Sequence, residues 1–261
     1  MPKTTRRTNK PSKPSSSRMT LTQTMLALEE AGTAQTRRTY ARHGAPEPMF
    51  GVSFATLKLL YKRIRVDQTL AEALWSTGNF DAQNLAVKIA DPATISSREL
   101  DRWAATPTAR MCGGYVAHLA AESPFGRAKA ERWLGATDEP TRFAAWSLVA
   151  ALAMIDESLP DTWFVDRLAQ IEKTVDSAPN AQRYAMNSAL IAIGCRNAAL
   201  RRMATAAAHR IGTVDVDHGD TDCKTPFASD SIENAWARSE SKGFASPAAQ
   251  ERARESMRTR C

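Results

Sequence analysis

Three segments of the chain begin alike, each with an arginine followed by a helix-forming run of small and apolar residues. The arginines are Arg110, Arg142 and Arg183, so the pattern recurs after 32 and then 41 residues. These spacings match a pair of helices joined by a short turn, as in HEAT-type and armadillo-type arrays. The repeat therefore predicts stacked antiparallel helix pairs.

The remaining sequence from residue 20 onward also favours helices. Ala, Leu, Arg, Glu and Met dominate, β-branched runs are short, and no stretch alternates polar and apolar residues over the length of a strand. Ser53 and Ser96 stand where helix N-caps are expected, and Pro140 and Pro160 stand near helix starts. We therefore predict an all-α fold. The predicted helices are roughly 20–31, 33–43, 54–64, 68–77, 80–90, 97–105, 108–122, 125–135, 139–155, 161–176, 180–194 and 197–211.

Positive charge is distributed unevenly along the chain. The net charge is +7, and the first twenty residues hold six cations and no acid. The segment from Arg238 onward adds +3, so the body of the chain, residues 21–237, has a net charge of −2. A body of this charge cannot bind phosphate by bulk electrostatics, so a nucleic-acid site requires a local cluster of basic residues. The composition predicts a disordered basic arm at 1–19, a helical repeat domain at 20–236 and a flexible basic tail at 237–261.

The three repeated arginines occupy equivalent first-turn positions. In helical arrays one row of helices lines the concave face. If the three segments form that row, the arginines face one groove, where guanidinium groups suit phosphate. The alternative is that each arginine pairs with an acid of a neighbouring segment, such as Asp138, Glu139 or Asp176.

More specific patterns stand in three longer segments. They are TRFAAW at 141–146, RYAMNSALIAIG at 183–194 and VDHGDTDCKTP at 216–226. Together they resemble DNA alkylation repair proteins of the HEAT-like-repeat glycosylase superfamily, over roughly residues 22–235. The resemblance implies a right-handed α-α superhelix that cradles duplex DNA and excises cationic purines such as N3-methyladenine or N7-methylguanine.

The resemblance also implies how excision works. Aromatic side chains on the concave face contact the deoxyribose, and a carboxylate stabilises the positive charge that grows on the sugar as the base leaves. Catalytic members carry a Trp and, four residues later, an Asp in the helix that corresponds to 108–122. This chain has RMCGGY at 110–115 and no carboxylate before Glu122. Two interpretations follow: a glycosylase whose catalytic groups have moved, or a non-catalytic DNA-binding or protein-scaffold relative.

Six residues are candidates for nucleic-acid binding, and we assign no catalytic residue. Arg142 matches the family's phosphate-contacting arginine, and Trp146 lies four residues later on the same helix face. Asn187 follows Met186 where the catalytic members place a second Trp. The full set is Arg110, Arg142, Arg183, Trp146, Asn187 and Lys224.

Two further features leave alternatives open. His218 and Cys223 lie in an acidic loop with a spacing that fits no recognised zinc motif, and a turn fixed by Asx hydrogen bonds is the simpler account of the loop. We therefore predict no metal and no cofactor. Gly113 and Gly114 inside a predicted helix cost about 1 kcal/mol each against Ala. They indicate either close approach of a backbone or ligand, or tight helix packing.

Apolar patterning gives no sign of a membrane protein. No run of about 18 apolar residues occurs, and the basic N-terminus is not followed by the apolar segment of a secretory signal. The four cysteines lie far apart without a CxxC pair, which favours free thiols. We expect a cytoplasmic monomer whose partner is duplex DNA.

Overall fold

The computed structural model describes residues 18–260 of the chain. Within that range it contains fourteen α-helices and no β-strand, so the all-α prediction is confirmed there. Residues 1–17, most of the predicted basic arm, lie outside the described residues. Between residues 18 and 260, no helix combines the length and the apolar character needed to cross a membrane. The helices are α1 (Leu21–Ala31), α2 (Ala34–Arg42), α3 (Phe54–Ile64), α4 (Gln68–Ser76), α5 (Phe80–Ile89), α6 (Ser97–Ala104), α7 (Arg110–Glu122), α8 (Gly126–Leu134), α9 (Glu139–Ile155), α10 (Asp161–Thr174), α11 (Asn180–Gly194), α12 (Ala198–Ile211), α13 (Ala228–Glu240) and α14 (Pro247–Arg252).

Several helices begin where the sequence supplies a cap. The Thr20 hydroxyl accepts a hydrogen bond from the Gln23 amide, and the Gln23 side chain accepts one from the Thr20 amide. Ser53 and Asp138 cap α3 and α9 through their side-chain oxygens. A cap of this kind contributes about 1 kcal/mol, so these local signals place the helix starts close to where the sequence predicts them.

The helices stack as pairs in two rows. From α3 to α13 the odd-numbered helices pack against one another in order, and each even-numbered helix packs on an odd-numbered neighbour. Even-numbered helices contact each other little, except α10 with α12. In a curved stack the row with the closer neighbours lies on the inside. We call α3, α5, α7, α9, α11 and α13 the inner row.

The core runs through the middle of the inner row. All ten residues of α5 are buried. Ten residues of α9 are buried too, because α7, α8, α11 and α14 surround it. Consequently the side chains that a ligand can reach on these helices lie mainly near the helix ends.

The segment after α13 departs from the predicted flexible tail. α14 packs on α9, and Arg258 is only 4% exposed. The Arg258 guanidinium pairs with Glu122 of α7 at 2.7 Å and donates to the carbonyl of Val87 in α5. The prediction of a flexible tail at 237–261 is therefore wrong for residues 237–260, because this segment forms helix and because Arg252 and Arg258 pair with Glu157 and Glu122, which lie far away in the sequence. We call residues 246–260 the C-terminal strap.

Candidate nucleic-acid interface

The three repeated arginines lie at the starts of adjacent inner-row helices. Arg110 is the first residue of α7, and Arg142 and Arg183 are the fourth residues of α9 and α11. Because α7 packs on α9 and α9 packs on α11, the three helix starts form one edge of the row. We call this the N-terminal edge, defined by the first turns of α7, α9 and α11.

A loop covers part of the N-terminal edge. This acidic loop, residues 213–226, follows α12 and contains four aspartates. Arg110 donates from Nη2 to the carbonyl of Asp217 at 3.1 Å, and its guanidinium lies 4.7 Å from the ring centroid of Tyr184. The Asn180 side chain donates to the same carbonyl and accepts from the Asp217 amide, both at 2.8 Å. The loop thus joins the starts of α7 and α11.

The other two arginines differ in their partners. Arg183 lies 3.8 Å from the carboxylate of Asp215, which is 97% exposed, so this pair contributes little to stability. Arg142 forms no ion pair with any described residue, whereas the Nε atoms of Arg142 and Arg183 are alike in being buried without a hydrogen-bond partner. The predicted acid pairing through Asp138, Glu139 or Asp176 does not occur among residues 18–260. Arg142 is the arginine of the three whose charge is most available to a phosphate.

The predicted DNA contact of Trp146 is wrong. Its side chain is only 1% exposed, because α9 is surrounded on the face that carries it. Sequence spacing correctly places Trp146 on the same helical stripe as Arg142, but the helix start reaches the surface and the next turn does not. The remaining five tryptophans are also buried.

Asn187 and Lys224 have different surroundings. Asn187 is 3% exposed, and its amide donates to the Pro226 carbonyl at 3.2 Å, so its predicted contact with DNA is replaced by a contact with the acidic loop. Lys224 lies exposed in that loop. A DNA contact of Lys224 stays a prediction.

A cavity of about 180 Å³ opens beside Arg110. Pro107, Phe143 and Ala181 supply apolar walls, and Glu139 lies at the start of α9. A Cβ on Gly113 would stand 2.9 Å from the Phe143 ring, so tight packing of α7 on α9 accounts for that glycine. Nothing lies within 4 Å of the position where a Cβ on Gly114 would stand, and the structure gives no reason for that glycine.

The acidic loop is held by its own turn. Asp217 Oδ1 accepts from the Gly219 amide at 2.8 Å, the Asx bond expected from the sequence, and His218 Nε2 lies 3.0 Å from the Thr225 hydroxyl. No group of three or more potential metal-binding side chains occurs in the described part of the chain. Burial raises the pKa of the Cys112 thiol to about 12, so this cysteine is a poor nucleophile at neutral pH.

Sequence comparison decides the family. The sequence profile of the DNA alkylation repair enzyme family matches residues 24–212. The chain belongs to that family. Two uncharacterised relatives, Lin0241 of Listeria innocua and Lmo0209 of Listeria monocytogenes, are each 25% identical to it over 218 residues, which is 81% of this chain and 94% of theirs.

Structural comparison agrees with the assignment to the DNA alkylation repair family. A solved structure, from a new family of proteins related to the HEAT-like repeat DNA glycosylases with affinity for branched DNA structures, superposes with a TM-score of 0.78. It is 31% identical, and the match covers 88% of this chain and 98% of that chain. The predicted HEAT-like fold is therefore confirmed.

Carboxylates, which the excision chemistry of this family requires, are scarce at this site. Within α7, α9 and α11 the carboxylates are Glu122 and Glu139. Glu122 stands at the end of α7 and is paired with Arg258, at the opposite end from the N-terminal edge. Glu139 is exposed beside the cavity.

Two residues that organise the N-terminal edge, Tyr184 and Asn180, are not predicted from the sequence. Tyr184 stacks on Arg110, and Asn180 holds the acidic loop. Tyr184 stands beside Arg183 in a segment that carries the family resemblance. Asn180 follows Pro179 at a helix start, which is a position for capping, and nothing in its sequence context points to a loop 37 residues away.

Proposed function

We propose that this member of the DNA alkylation repair family binds branched DNA through its inner row and does not excise bases. The observation that carries the proposal is the solved relative with affinity for branched DNA, which shares the fold over almost its whole length. Arg142 supports it, because an arginine without an acid partner at a helix start is suited to a phosphate.

The side chains of the inner row also favour binding over excision. A glycosylase of this type needs an aromatic surface for the sugar and a carboxylate near it. Here the tryptophans are buried, and the α7 carboxylate Glu122 is paired with Arg258. The arginines and the helix starts of the N-terminal edge supply positive charge and hydrogen-bond donors, which bind phosphate without chemistry.

One observation favours the second candidate, a glycosylase for N3- and N7-alkylpurines. Glu139 lies at the cavity beside the Phe143 ring. A carboxylate and an aromatic ring in one opening could stabilise a sugar cation, as the chemistry requires. The same protein preparation tests both candidates.

The test combines a binding assay with a base-release assay. Dissociation constants are measured for a four-way junction and for a linear duplex of the same strand sequences, and released base is measured from DNA that contains N7-methylguanine. We expect tighter binding to the junction and release no faster than in protein-free DNA. Base release that disappears in Glu139→Gln would establish the glycosylase instead.

The contribution of Arg142 has a quantitative signature. Arg142→Ala removes one phosphate contact, so the slope of log K against log salt concentration should become shallower by about 0.9. Arg202→Ala is the matched control, because Arg202 is exposed on α12 in the outer row and has no ion pair among the described residues. Equal salt slopes for wild type and Arg142→Ala would mean that Arg142 has a structural role and does not contact phosphate.

A further inference from the structure

We propose that a basic surface on α2 and α3 binds the phosphate backbone of a second duplex arm when the protein holds branched DNA. This surface, here called the α2–α3 basic surface, consists of Arg38, Arg42, Lys62, Arg63 and Arg65. The proposal rests on the proposed function and adds a second binding site, which lies away from the N-terminal edge.

Charge in the folded part of the protein is concentrated in these two helices. Residues 34–66 contain seven cations and one acid, so they carry a net charge of +6. The other described residues, 18–33 and 67–260, together carry −4. The near-neutral body therefore consists of one strongly positive part and one negative part, and the positive part is the local cluster that phosphate binding requires.

The five cations of the α2–α3 basic surface are accessible. All five are exposed, and none forms an ion pair with a residue between 18 and 260. The single acid of the region, Glu47, is paired with Arg37 at 3.0 Å. Exposed cations without acid partners keep their charge for a polyanion.

Helix ends account for only part of this cluster. Lys62 and Arg63 in the last turn of α3, and Arg42 at the end of α2, interact favourably with the helix dipoles. Arg38 lies earlier in α2, and Arg65 follows α3 with φ of 66°. A positive φ in a residue with a side chain costs free energy, and Arg65 is the one non-glycine residue among the described residues that has it.

The α2–α3 basic surface is attached rigidly to α5, the next helix of the inner row. The buried carboxylate of Asp81, in α5, accepts hydrogen bonds from the amides of Phe50, Gly51 and Val52 at 2.6–3.0 Å. These amides directly precede α3. The Tyr40 hydroxyl of α2 donates to the Val52 carbonyl at 2.7 Å. A site on α2 and α3 is thereby held in a fixed position relative to α5 and to the helices that follow it.

Along the inner row, a gap in available positive charge lies between the α2–α3 basic surface and Arg142. Three steps along the inner row separate α3 from α9, which is on the order of 25–30 Å at 8–10 Å per helix contact. Between them α5 is entirely buried, and the Arg110 guanidinium of α7 is engaged by the acidic loop. The separation exceeds the Debye length of about 10 Å, so the two sites attract separate stretches of phosphate. Two arms that diverge from a branch present such stretches, and the affinity of the solved relative for branched DNA favours two arms over a single straight duplex.

The experiment compares two triple variants of the full chain. Lys62→Gln, Arg63→Gln and Arg65→Gln remove three cations from the α2–α3 basic surface. Arg98→Gln, Lys173→Gln and Arg202→Gln remove three exposed cations from the outer helices α6, α10 and α12, where no ion pair holds them. Dissociation constants for a four-way junction and for a linear duplex of matched sequence are measured at several salt concentrations, after thermal melting has verified the fold.

We expect the first variant to lose at least about tenfold in junction affinity and about 2.7 in its salt slope, because each phosphate contact contributes about 0.9. Its affinity for linear duplex should change no more than that of the control variant. If the first variant melts early, Arg38→Gln with Arg42→Gln tests the same surface on α2.

Three outcomes overturn this inference. If the first variant prefers the junction as strongly as wild type does, the second site does not exist, while the proposed function stands. If the first variant loses affinity equally for junction and linear duplex, the surface binds the same duplex as the N-terminal edge. Loss of binding to phosphatidylserine vesicles, with junction binding intact, assigns the surface to a membrane. Wild-type protein that binds no DNA contradicts the proposed function itself and is distinguishable from all three.

Discussion

The two ends of the inner-row helices show how one set of helices supports two kinds of surface. At the C-terminal ends of α5, α7, α9 and α11 the C-terminal strap forms ion pairs and hydrogen bonds, and it encloses Arg258 together with Glu122. The strap's Arg258 pairs with Glu122, its Arg252 pairs with Glu157 after α9, and its Ala248 amide bonds the Cys195 carbonyl after α11. At the N-terminal edge, the acidic loop holds Arg110 through the Asp217 carbonyl and Arg183 through the exposed Asp215.

The difference separates a surface that stabilises from a surface that can bind. A charge enclosed with its partner is expensive to uncover, whereas a charge held at the surface by a loop can exchange that contact for a phosphate at small cost. We therefore expect substitutions at the C-terminal strap to act on stability, and substitutions at the N-terminal edge to act on local order and on DNA binding.

The largest expected effect is at the C-terminal strap. Arg258→Ala leaves Glu122 without its ion partner in a largely enclosed position, and it removes the donor to the Val87 carbonyl. We expect the free energy of unfolding to fall by about 3 kcal/mol. Urea denaturation followed by circular dichroism measures it.

The control for Arg258 lies four residues earlier in the strap. Arg254 is largely exposed, and its pair with Glu251 spans 3.9 Å, so Arg254→Ala should change the free energy of unfolding by less than about 0.5 kcal/mol. Similar values for both variants would mean that the C-terminal strap does not stabilise the array, and the contrast between the strap and the N-terminal edge would disappear.

At the N-terminal edge we expect a smaller effect on stability. Asn180→Ala removes both hydrogen bonds to the backbone of Asp217, which are solvent-exposed, so the cost should be about 1 kcal/mol. Hydrogen exchange of the Asp217 and Gly219 amides should accelerate, while amides of α9 keep their protection. Asn234→Ala on the exposed face of α13 serves as control. A global loss as large as that of Arg258→Ala would show that this loop is part of the stabilising framework.

His118, in the last turns of α7 near Glu122, makes the stability of the protein depend on pH. Burial lowers the pKa of its imidazole, and Glu122 opposes this shift in part. The unfolded chain therefore takes up a proton at a higher pH than the folded chain, so stability from this residue is present above about pH 6.5 and is lost as pH falls below it. Between pH 7.5 and 5.5 the free energy of unfolding should decline less in His118→Gln than in wild type. The exposed His43→Gln is the control, and parallel curves for all three proteins would contradict the assignment.

The smallest expected effect on stability comes from the basic arm. Deletion of residues 2–17 removes five cations and keeps Met19, which is buried, and Thr20, which caps α1. We expect an unchanged melting temperature and weaker binding to DNA at low salt, because the arm can add phosphate contacts. Melting curves and DNA titrations at two salt concentrations measure both. A large loss of melting temperature would show that the arm packs on the folded part.

The sequence predicts the helices better than it predicts their surroundings. The ranges 54–64 and 139–155 coincide with α3 and α9, because Ser53 and Asp138 cap them and the signal is local. Trp146 illustrates the limit: its spacing from Arg142 is a property of one helix, whereas its burial depends on four other helices.

The C-terminal strap and the α2–α3 basic surface illustrate the same limit at longer range. Arg258 belongs to a segment with an excess of positive charge, and its partner Glu122 lies 136 residues earlier, so composition alone indicates a solvated tail. The net charge of the folded part also hides how unevenly its charge is distributed, since residues 34–66 carry +6 and the other described residues together are negative. Pairing and segregation of charge become visible only when the helices are placed in space.

The C-terminal strap also restricts how many repeats the array can contain. Most repeat arrays can gain or lose a helix pair, because each repeat contacts only its neighbours. Here ten residues lead from Ala248, bonded to the end of α11, to Arg258, bonded to the end of α5. With residues 248–252 in α14 at about 1.5 Å per residue and residues 252–258 at no more than about 3.6 Å per residue, they reach at most about 28 Å, and three helix contacts already require roughly 25–30 Å. One inserted helix pair between α5 and α11 would add about 8–10 Å and exceed that reach. The length of the strap therefore limits the number of repeats.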